Sequence, residues 1–145
     1  MRDKVLVIDS NPFILSIVKS TLESAGYRVF TALDSEGGLE QFRQRQPDLV
    51  ILDVVMPQLN GWEICSRIRK QSKTPIIVHT TVESADYLFQ AAKLGVSHYL
   101  VKPVLPKILR THVEMALKPH AQGAPALPQR GYSLTLPEPA VAEYA

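Results

Sequence analysis

The stretch LVILDVVMPQLNG, residues 49–61, decides how this chain folds. Its first four residues, Leu49–Leu52, form an apolar run typical of a strand that is buried on both faces, as in a parallel sheet. The run stops at a carboxylate, Asp53, and the chain then stays apolar through Met56. We interpret this stretch as a rigid buried strand that presents Asp53 as its exposed tip.

Strand-like and helix-like segments alternate on both sides of this stretch. Short apolar or β-branched runs predict strands at 4–9, 27–32, 48–53, 75–80 and 97–102. Capped segments with helical spacing of apolar residues predict helices within 10–26, 34–46, 61–70, 84–95 and 105–117. This alternation predicts an α/β fold, a flavodoxin-like, doubly wound (βα)5 domain whose five-stranded parallel sheet has the order 2-1-3-4-5.

Length and composition favour one domain followed by a tail. The chain has 145 residues, and five of its 11 prolines lie in 119–145, where helical and strand periods fade. We therefore assign 1–118 to the domain and 119–145 to a Pro/Ala-rich flexible tail or linker. A net charge of +2 gives no general reason to bind nucleic acid or an anionic membrane. No apolar run is long enough to span a membrane, and we expect a cytoplasmic protein.

Four predicted strands end on polar side chains, namely Asp9, Asp53, Thr80 and Lys102. In a parallel α/β sheet the working site lies beyond the carboxyl ends of the strands, so we expect these residues to share one edge. Two carboxylates can hold Mg²⁺, a carboxylate can become an aspartyl phosphate, and an ammonium with a hydroxyl can bind phosphoryl oxygens. The set favours phosphoryl transfer onto Asp53.

The sequence resembles the receiver domains of response regulators in two-component signalling. The segments VLVIDS, PDLVILDVVMPQLNGWE, TPIIVHTT and GVSHYLVKP follow the motifs of that family in order and spacing, across about residues 3–118. The resemblance implies that Asp53 is the phosphoacceptor, that Thr80 is the switch hydroxyl and that Lys102 contacts the phosphoryl group. It implies that Tyr99 swings inward when Thr80 moves, and that the bond before Pro103 is cis.

The resemblance also implies a Mg²⁺ site and shows one departure from the family. Asp9, Asp53 and the backbone carbonyl of Val55 would bind the ion. The family has a second acid beside Asp9, whereas this chain has Ser10, which would contribute weakly or through water. We expect weakened Mg²⁺ binding. The alternative is a degenerate receiver that binds proteins without being phosphorylated.

The implied partners are a sensor histidine kinase or phosphotransfer protein, and a downstream protein bound through the fourth helix, fifth strand and fifth helix. A homodimer that forms on phosphorylation is a further possibility. We expect no direct contact with nucleic acid or membrane. We expect no enzymatic activity beyond self-phosphorylation and autodephosphorylation at Asp53. The latter should be slow, because Val55 and Val82 cannot orient a water. Val55 also argues against a haloacid-dehalogenase phosphatase, which would have an Asp there.

Several other residues are expected to be structural. His79, beside Thr80, is predicted to be a packed or partly exposed strand histidine, since neither His98 nor His112 has metal-ligand spacing with it or with each other. Cys65 is predicted to be a small core residue. On the helix after Gly61, the basic residues Arg67, Arg69 and Lys70 are expected to point outward.

Overall fold

The computed structural model describes residues 2–56 and 61–118, so the predicted tail at 119–145 lies outside the described residues. The strands are β1 (Lys4–Ile8), β2 (Arg28–Ala32), β3 (Leu49–Leu52), β4 (Ile76–Thr80) and β5 (His98–Val101). The helices are α1 (Pro12–Ser24), α2 (Ser35–Arg45), α3 (Gly61–Gln71), α4 (Ala85–Lys93) and α5 (Pro106–Leu117). Each lies within a residue or two of its predicted bounds.

The strands form one parallel sheet in the order β2-β1-β3-β4-β5, which confirms the predicted fold. β1 pairs with both β2 and β3, so the chain changes direction across the sheet after β2. Every residue of β3 is buried, as the apolar run at 49–52 predicts. This arrangement brings the carboxyl ends of β1, β3, β4 and β5 to one edge.

Polar caps start three of the helices where the sequence places them. The side chain of Asn11 accepts hydrogen bonds from the backbone N–H groups of Phe13 and Ile14 at the start of α1. Asp34 and Ser84 cap α2 and α4 in the same way. Such caps satisfy N–H groups that have no partner within the helix, and each one typically stabilises a helix by about 1 kcal/mol.

The sheet separates two apolar cores because successive strand residues point to opposite faces. One core, which includes Leu6, Ile8 and Leu52, packs with α2, α3 and α4. The other, which includes Val7 and Ile51, packs with α1 and α5. Cys65 is fully buried in the first core, as predicted, and burial raises the pKa of its thiol to about 11. None of the helices in the described residues is long and apolar enough to cross a membrane.

Two residues of α3 have contacts that the sequence did not predict. Arg69 does not simply point outward: its guanidinium donates hydrogen bonds to the backbone carbonyls of Leu94 and Thr74, each at 2.7 Å, and of Gly95 at 3.1 Å. It therefore ties the end of α3 to the turns that lead into β4 and β5. At the other end of α3, a Cβ on Gly61 would lie 2.2 Å from the Cα of Val54, so the helix start packs directly on the chain after Asp53.

Candidate functional site

Backbone hydrogen bonds fix the strand ends that carry the predicted site residues. The N–H of Asp53 donates to the carbonyl of Ile8 at 3.0 Å, so the residue after β3 stays bonded to β1. The N–H of Lys102 donates in the same way to the carbonyl of Thr80 at 2.8 Å. The positions of Asp53 and Lys102 are thus extensions of the sheet, which makes them well defined.

Three of the predicted side chains meet at one point. The ammonium Nζ of Lys102 donates hydrogen bonds to Oδ2 of Asp9 and to Oδ2 of Asp53, each at 2.8 Å. Burial of the ammonium acts to lower its pKa, but the hydrogen bonds and the negative charges of Asp53 and Asp9 outweigh it and raise the pKa of Lys102. The lysine is therefore a cation held between two carboxylates.

Asp53 is not the exposed tip that the sequence suggested, because the residue is only 7% exposed. One carboxylate oxygen is taken by Lys102, and the other accepts a hydrogen bond from the N–H of Val55 at 2.9 Å. A charged group can be buried at this depth only when it is paired and hydrogen-bonded. The apolar pattern of residues 49–52 predicted the strand. It did not predict the ion pair with Lys102, 49 residues further along the chain, which allows Asp53 to be buried.

The donor set around these carboxylates fits a magnesium ion. Asp9 and Asp53 share one ammonium, so their Oδ2 atoms lie no further apart than two hydrogen-bond lengths. The second oxygen of Asp9 accepts from the N–H of Asn11 at 2.9 Å, and this bond orients the carboxylate. Within the described ranges no group of three His, Cys, Asp or Glu residues could hold a metal. Two carboxylates with waters and phosphate oxygens are nevertheless a normal Mg²⁺ environment.

Thr80 and Tyr99 lie on neighbouring strands and both contact Val82. The residue Thr80 is fully buried, and its hydroxyl oxygen lies 3.5 Å from the N–H of Val82. The phenol of Tyr99 donates a hydrogen bond to the carbonyl of Val82 at 2.5 Å. Tyr99 is in the inward position here, and its burial is the main cause that raises the pKa of its phenol.

The Lys102–Pro103 peptide bond is cis, the geometry that the resemblance implies. Pro103 itself is exposed at the surface.

The sequence spacing of the histidines is not that of metal ligands, but two of their rings are in contact in the structure. The rings of His98 on β5 and His112 on α5 pack edge to face with centroids 4.9 Å apart. His79 is 5% exposed, so it is a packed strand histidine, and burial lowers its pKa to about 4. The alternation along β4 could have shown that His79 faces the same side as Ile77, towards α1 and α5.

Comparison with known proteins identifies the family. The family model described as the response regulator receiver domain matches residues 5–114. The probable transcriptional regulator ycf27 of Guillardia theta is 39% identical over 117 residues, which cover 81% of this chain and 46% of that protein. The alkaline phosphatase synthesis transcriptional regulatory protein PhoP of Bacillus subtilis is 33% identical over 127 residues, with 87% and 53% covered. The chain thus spans about half the length of these relatives.

A solved structure supports the same assignment. The chemotaxis protein CheY4 of Vibrio cholerae superposes with a TM-score of 0.77 at 34% identity, covering 81% of this chain and all of that one. The fold of this chain is thus one that a solved structure also has. In this chain it carries the carboxylates at the ends of β1 and β3 and the lysine after β5. The chain belongs to the response regulator receiver domain family.

Proposed function

We propose that this chain is a phosphoacceptor in a two-component phosphorelay and that Asp53 takes the phosphoryl group. The observation that carries the proposal is the contact of one ammonium, that of Lys102, with both Asp53 and Asp9 at 2.8 Å. Receiver domains are generally signalling domains that are not enzymes, and the chemistry proposed here is limited to modification of the chain itself.

The transfer is a displacement at phosphorus. A carboxylate oxygen of Asp53 attacks the phosphorus of a phosphohistidine on a sensor kinase or phosphotransfer protein, forming a P–O bond. The P–N bond breaks at the same time, and its electron pair stays on the imidazole nitrogen. Lys102 neutralises part of the charge on the phosphoryl oxygens, and the hydroxyl of Thr80 donates a hydrogen bond to one of them.

Mg²⁺ would be held by the carboxylates of Asp9 and Asp53 and the carbonyl of Val55, with Ser10 contributing weakly or through water. When bound, it supplies positive charge beside the phosphoryl oxygens. The two carboxylates are already close together in this fold, and they are preorganised by the backbone N–H groups of Asn11 and Val55.

The output of phosphorylation would be a shift between two arrangements of Thr80 and Tyr99. Both side chains contact Val82, so a movement of Thr80 towards the phosphoryl group changes the position that Tyr99 prefers. Tyr99 belongs to β5, which lies at the edge of the sheet next to α4 and α5. The face formed by α4, β5 and α5 would change its affinity for a downstream protein or for a second copy of the chain.

A second function is a receiver that binds proteins without phosphorylation. Two observations favour it: Ser10 stands where the family has a second acid, and Lys102 is already paired with the two carboxylates that remain, Asp9 and Asp53. The part of this chain that aligns covers only about half of the relatives named as transcriptional regulators. The expectation that residues 1–145 make no direct contact with nucleic acid stays a prediction.

Intact-mass analysis after incubation with a small phosphodonor and Mg²⁺ tests the proposal. We expect the parent chain to gain one phosphoryl group and the Asp53→Asn variant to gain none, since the amide oxygen is a poor nucleophile. The gain should disappear when Mg²⁺ is chelated, and the label should persist for minutes or longer because Val55 and Val82 orient no water. A parent chain that unfolds cooperatively on heating yet never gains mass would contradict the proposal and leave the receiver that binds proteins without phosphorylation as the remaining candidate.

A further inference from the structure

A cavity lies behind the carboxylate–lysine site, between α1 and the start of α5. It has a volume of about 400 Å³, within the range of sites that hold small molecules. Apolar side chains of α1 and α5, including Ile14, Val18 and Leu109, form its walls, and Val104 contributes from the segment between β5 and α5. Such walls favour a ligand that is mostly apolar.

One buried polar side chain reaches this cavity without a partner. His79 lines it and is 5% exposed, yet the described residues make no hydrogen bond to either nitrogen of its ring. A neutral imidazole carries one N–H donor and one acceptor nitrogen. Because no protein group occupies them, the ring nitrogens are free to pair with water or with a ligand that enters the cavity, and a ligand that pairs with them gains orientation.

The charge around the cavity argues against an anionic ligand. Lys102 also lines it, but its ammonium is already held by the carboxylates of Asp9 and Asp53. Without Mg²⁺ these three side chains together carry a net negative charge, so an anionic ligand in the cavity beside them would be repelled. The remaining polar groups at the cavity are the uncharged side chains of Asn11, Thr21 and Thr81.

We propose that this cavity is a binding site for a small, neutral, mainly apolar molecule that makes one hydrogen bond to His79. The proposal concerns the unphosphorylated chain and does not depend on phosphoryl transfer to Asp53. It can therefore fail while the proposed function holds, and the reverse.

Three probes of nearly equal shape test it by NMR on the full-length chain labelled with ¹⁵N. Indole offers one N–H donor, benzofuran one oxygen acceptor, and indene neither. We expect saturable amide shifts in α1 and at 79–81, with a dissociation constant of about 1 mM for the better heterocycle. We expect indene to bind about fivefold more weakly, the ratio expected for one hydrogen bond.

Two variants with one matched control locate the site. Thr21→Leu adds apolar volume inside the cavity and should abolish saturable binding of all three probes. Ser20→Leu makes a similar change on the neighbouring, exposed position of α1 and should leave binding unchanged. His79→Val should remove the preference for the heterocycle over indene, leaving the three affinities within about twofold.

Direct observation of the imidazole protects the test against a variant that does not fold. In the parent chain, the ring ¹⁵N resonances of His79 should shift with the same saturation curve as the amides. Equal affinities for the three probes, or binding that survives Thr21→Leu, would overturn the proposal. Shifts confined to another surface, or no saturable shifts at all, would do so too.

Discussion

At the scale of single residues, the site is organised by one lysine that bridges two buried carboxylates. Asp9 and Asp53 each have one oxygen on Lys102 and one on a backbone N–H. Every carboxylate oxygen therefore has a partner, which explains how two acids can be nearly buried side by side. The residue that departs from the family pattern, Ser10, is next to this group, and its effect can be measured.

Restoring an acid at Ser10 should strengthen Mg²⁺ binding. The variant Ser10→Asp adds a third carboxylate beside Asp9, and like-charge repulsion within the group offsets part of the gain. We expect a net gain of about 1.4 kcal/mol, which is about tenfold in affinity. A Mg²⁺ titration followed by amide chemical shifts measures it. Ser20→Asp adds the same charge to exposed α1 and should change the affinity less than twofold; equal effects of both variants would contradict a local ligand at position 10.

The buried histidines predict how stability depends on pH. Burial lowers the pKa of His79 and of His98 to about 4, against an ordinary value of 6.5. The unfolded chain therefore binds protons first as the pH falls. The stability contributed by the neutral rings is complete above pH 6.5 and is lost towards pH 4, by up to about 1.4 kcal/mol per pH unit for each histidine.

Urea unfolding between pH 6.5 and 5 checks this prediction. In His79→Val, the slope of the unfolding free energy against pH should be smaller than in the parent chain by about 1.4 kcal/mol per pH unit, which corresponds to one proton taken up on unfolding. His98→Val should lower the slope in the same way, because each ring titrates independently on a different strand. A slope that stays the same in both variants would show that neither ring is held neutral by the fold.

At the scale of helices and strands, the sequence predicted nearly everything that local patterns encode. The ten elements, their caps at Asn11, Asp34 and Ser84, and the strand order follow from periodicity, capping residues and the rules of parallel sheets. The pattern could not show that Asp53 is buried or that Arg69 is bonded across the fold. Each involves a partner 25 or more residues away, Lys102 for Asp53 and Leu94 for Arg69, which periodicity within one element does not reveal.

Arg69 should be important for stability although it looks like a surface residue of α3. Its guanidinium donates to the carbonyls of Leu94, Thr74 and Gly95. Arg69→Met therefore leaves two partly buried acceptors, on Leu94 and Thr74, and one exposed acceptor, on Gly95, short of a donor. Methionine keeps the apolar stem and the helix propensity. We expect a loss of about 2 kcal/mol in the free energy of unfolding, measured by urea denaturation.

The neighbouring Arg67 provides the matched control for that experiment. Among the described residues, the guanidinium of Arg67 pairs with Glu63 one turn away, at 3.0 Å, and both side chains are exposed. Arg67→Met should therefore cost less than about 0.5 kcal/mol. Similar losses for the two variants would mean that the bonds of Arg69 across the fold contribute no more than a surface pair.

At the scale of the whole molecule, the described residues build two apolar cores, one on each face of the sheet. The core on one face of the sheet ends with Tyr99, and the core on the other ends with Ala116 near the end of α5. No buried core position in the described residues lies beyond Ala116. The domain boundary placed at residue 118 from composition stays a prediction, because residues 119–145 lie outside the described ranges.

This leads to a prediction about the segment 119–145. A chain that stops at Lys118 should unfold within about 2 °C of the full chain, because it keeps every core position of the described residues. It should also accept a phosphoryl group on Asp53 to the same extent, since the site is built at the carboxyl ends of β1, β3, β4 and β5. Thermal unfolding and intact-mass analysis of the two chains measure both.

A chain that stops at Thr111 is the positive control: it loses Val113 and Ala116 from the core and should be strongly destabilised. A fall of more than about 5 °C on removal of 119–145 alone would show instead that this segment packs on the domain. The exposed apolar side chains of Phe89, Ile108 and Met115 would then be the first positions to test for its contacts.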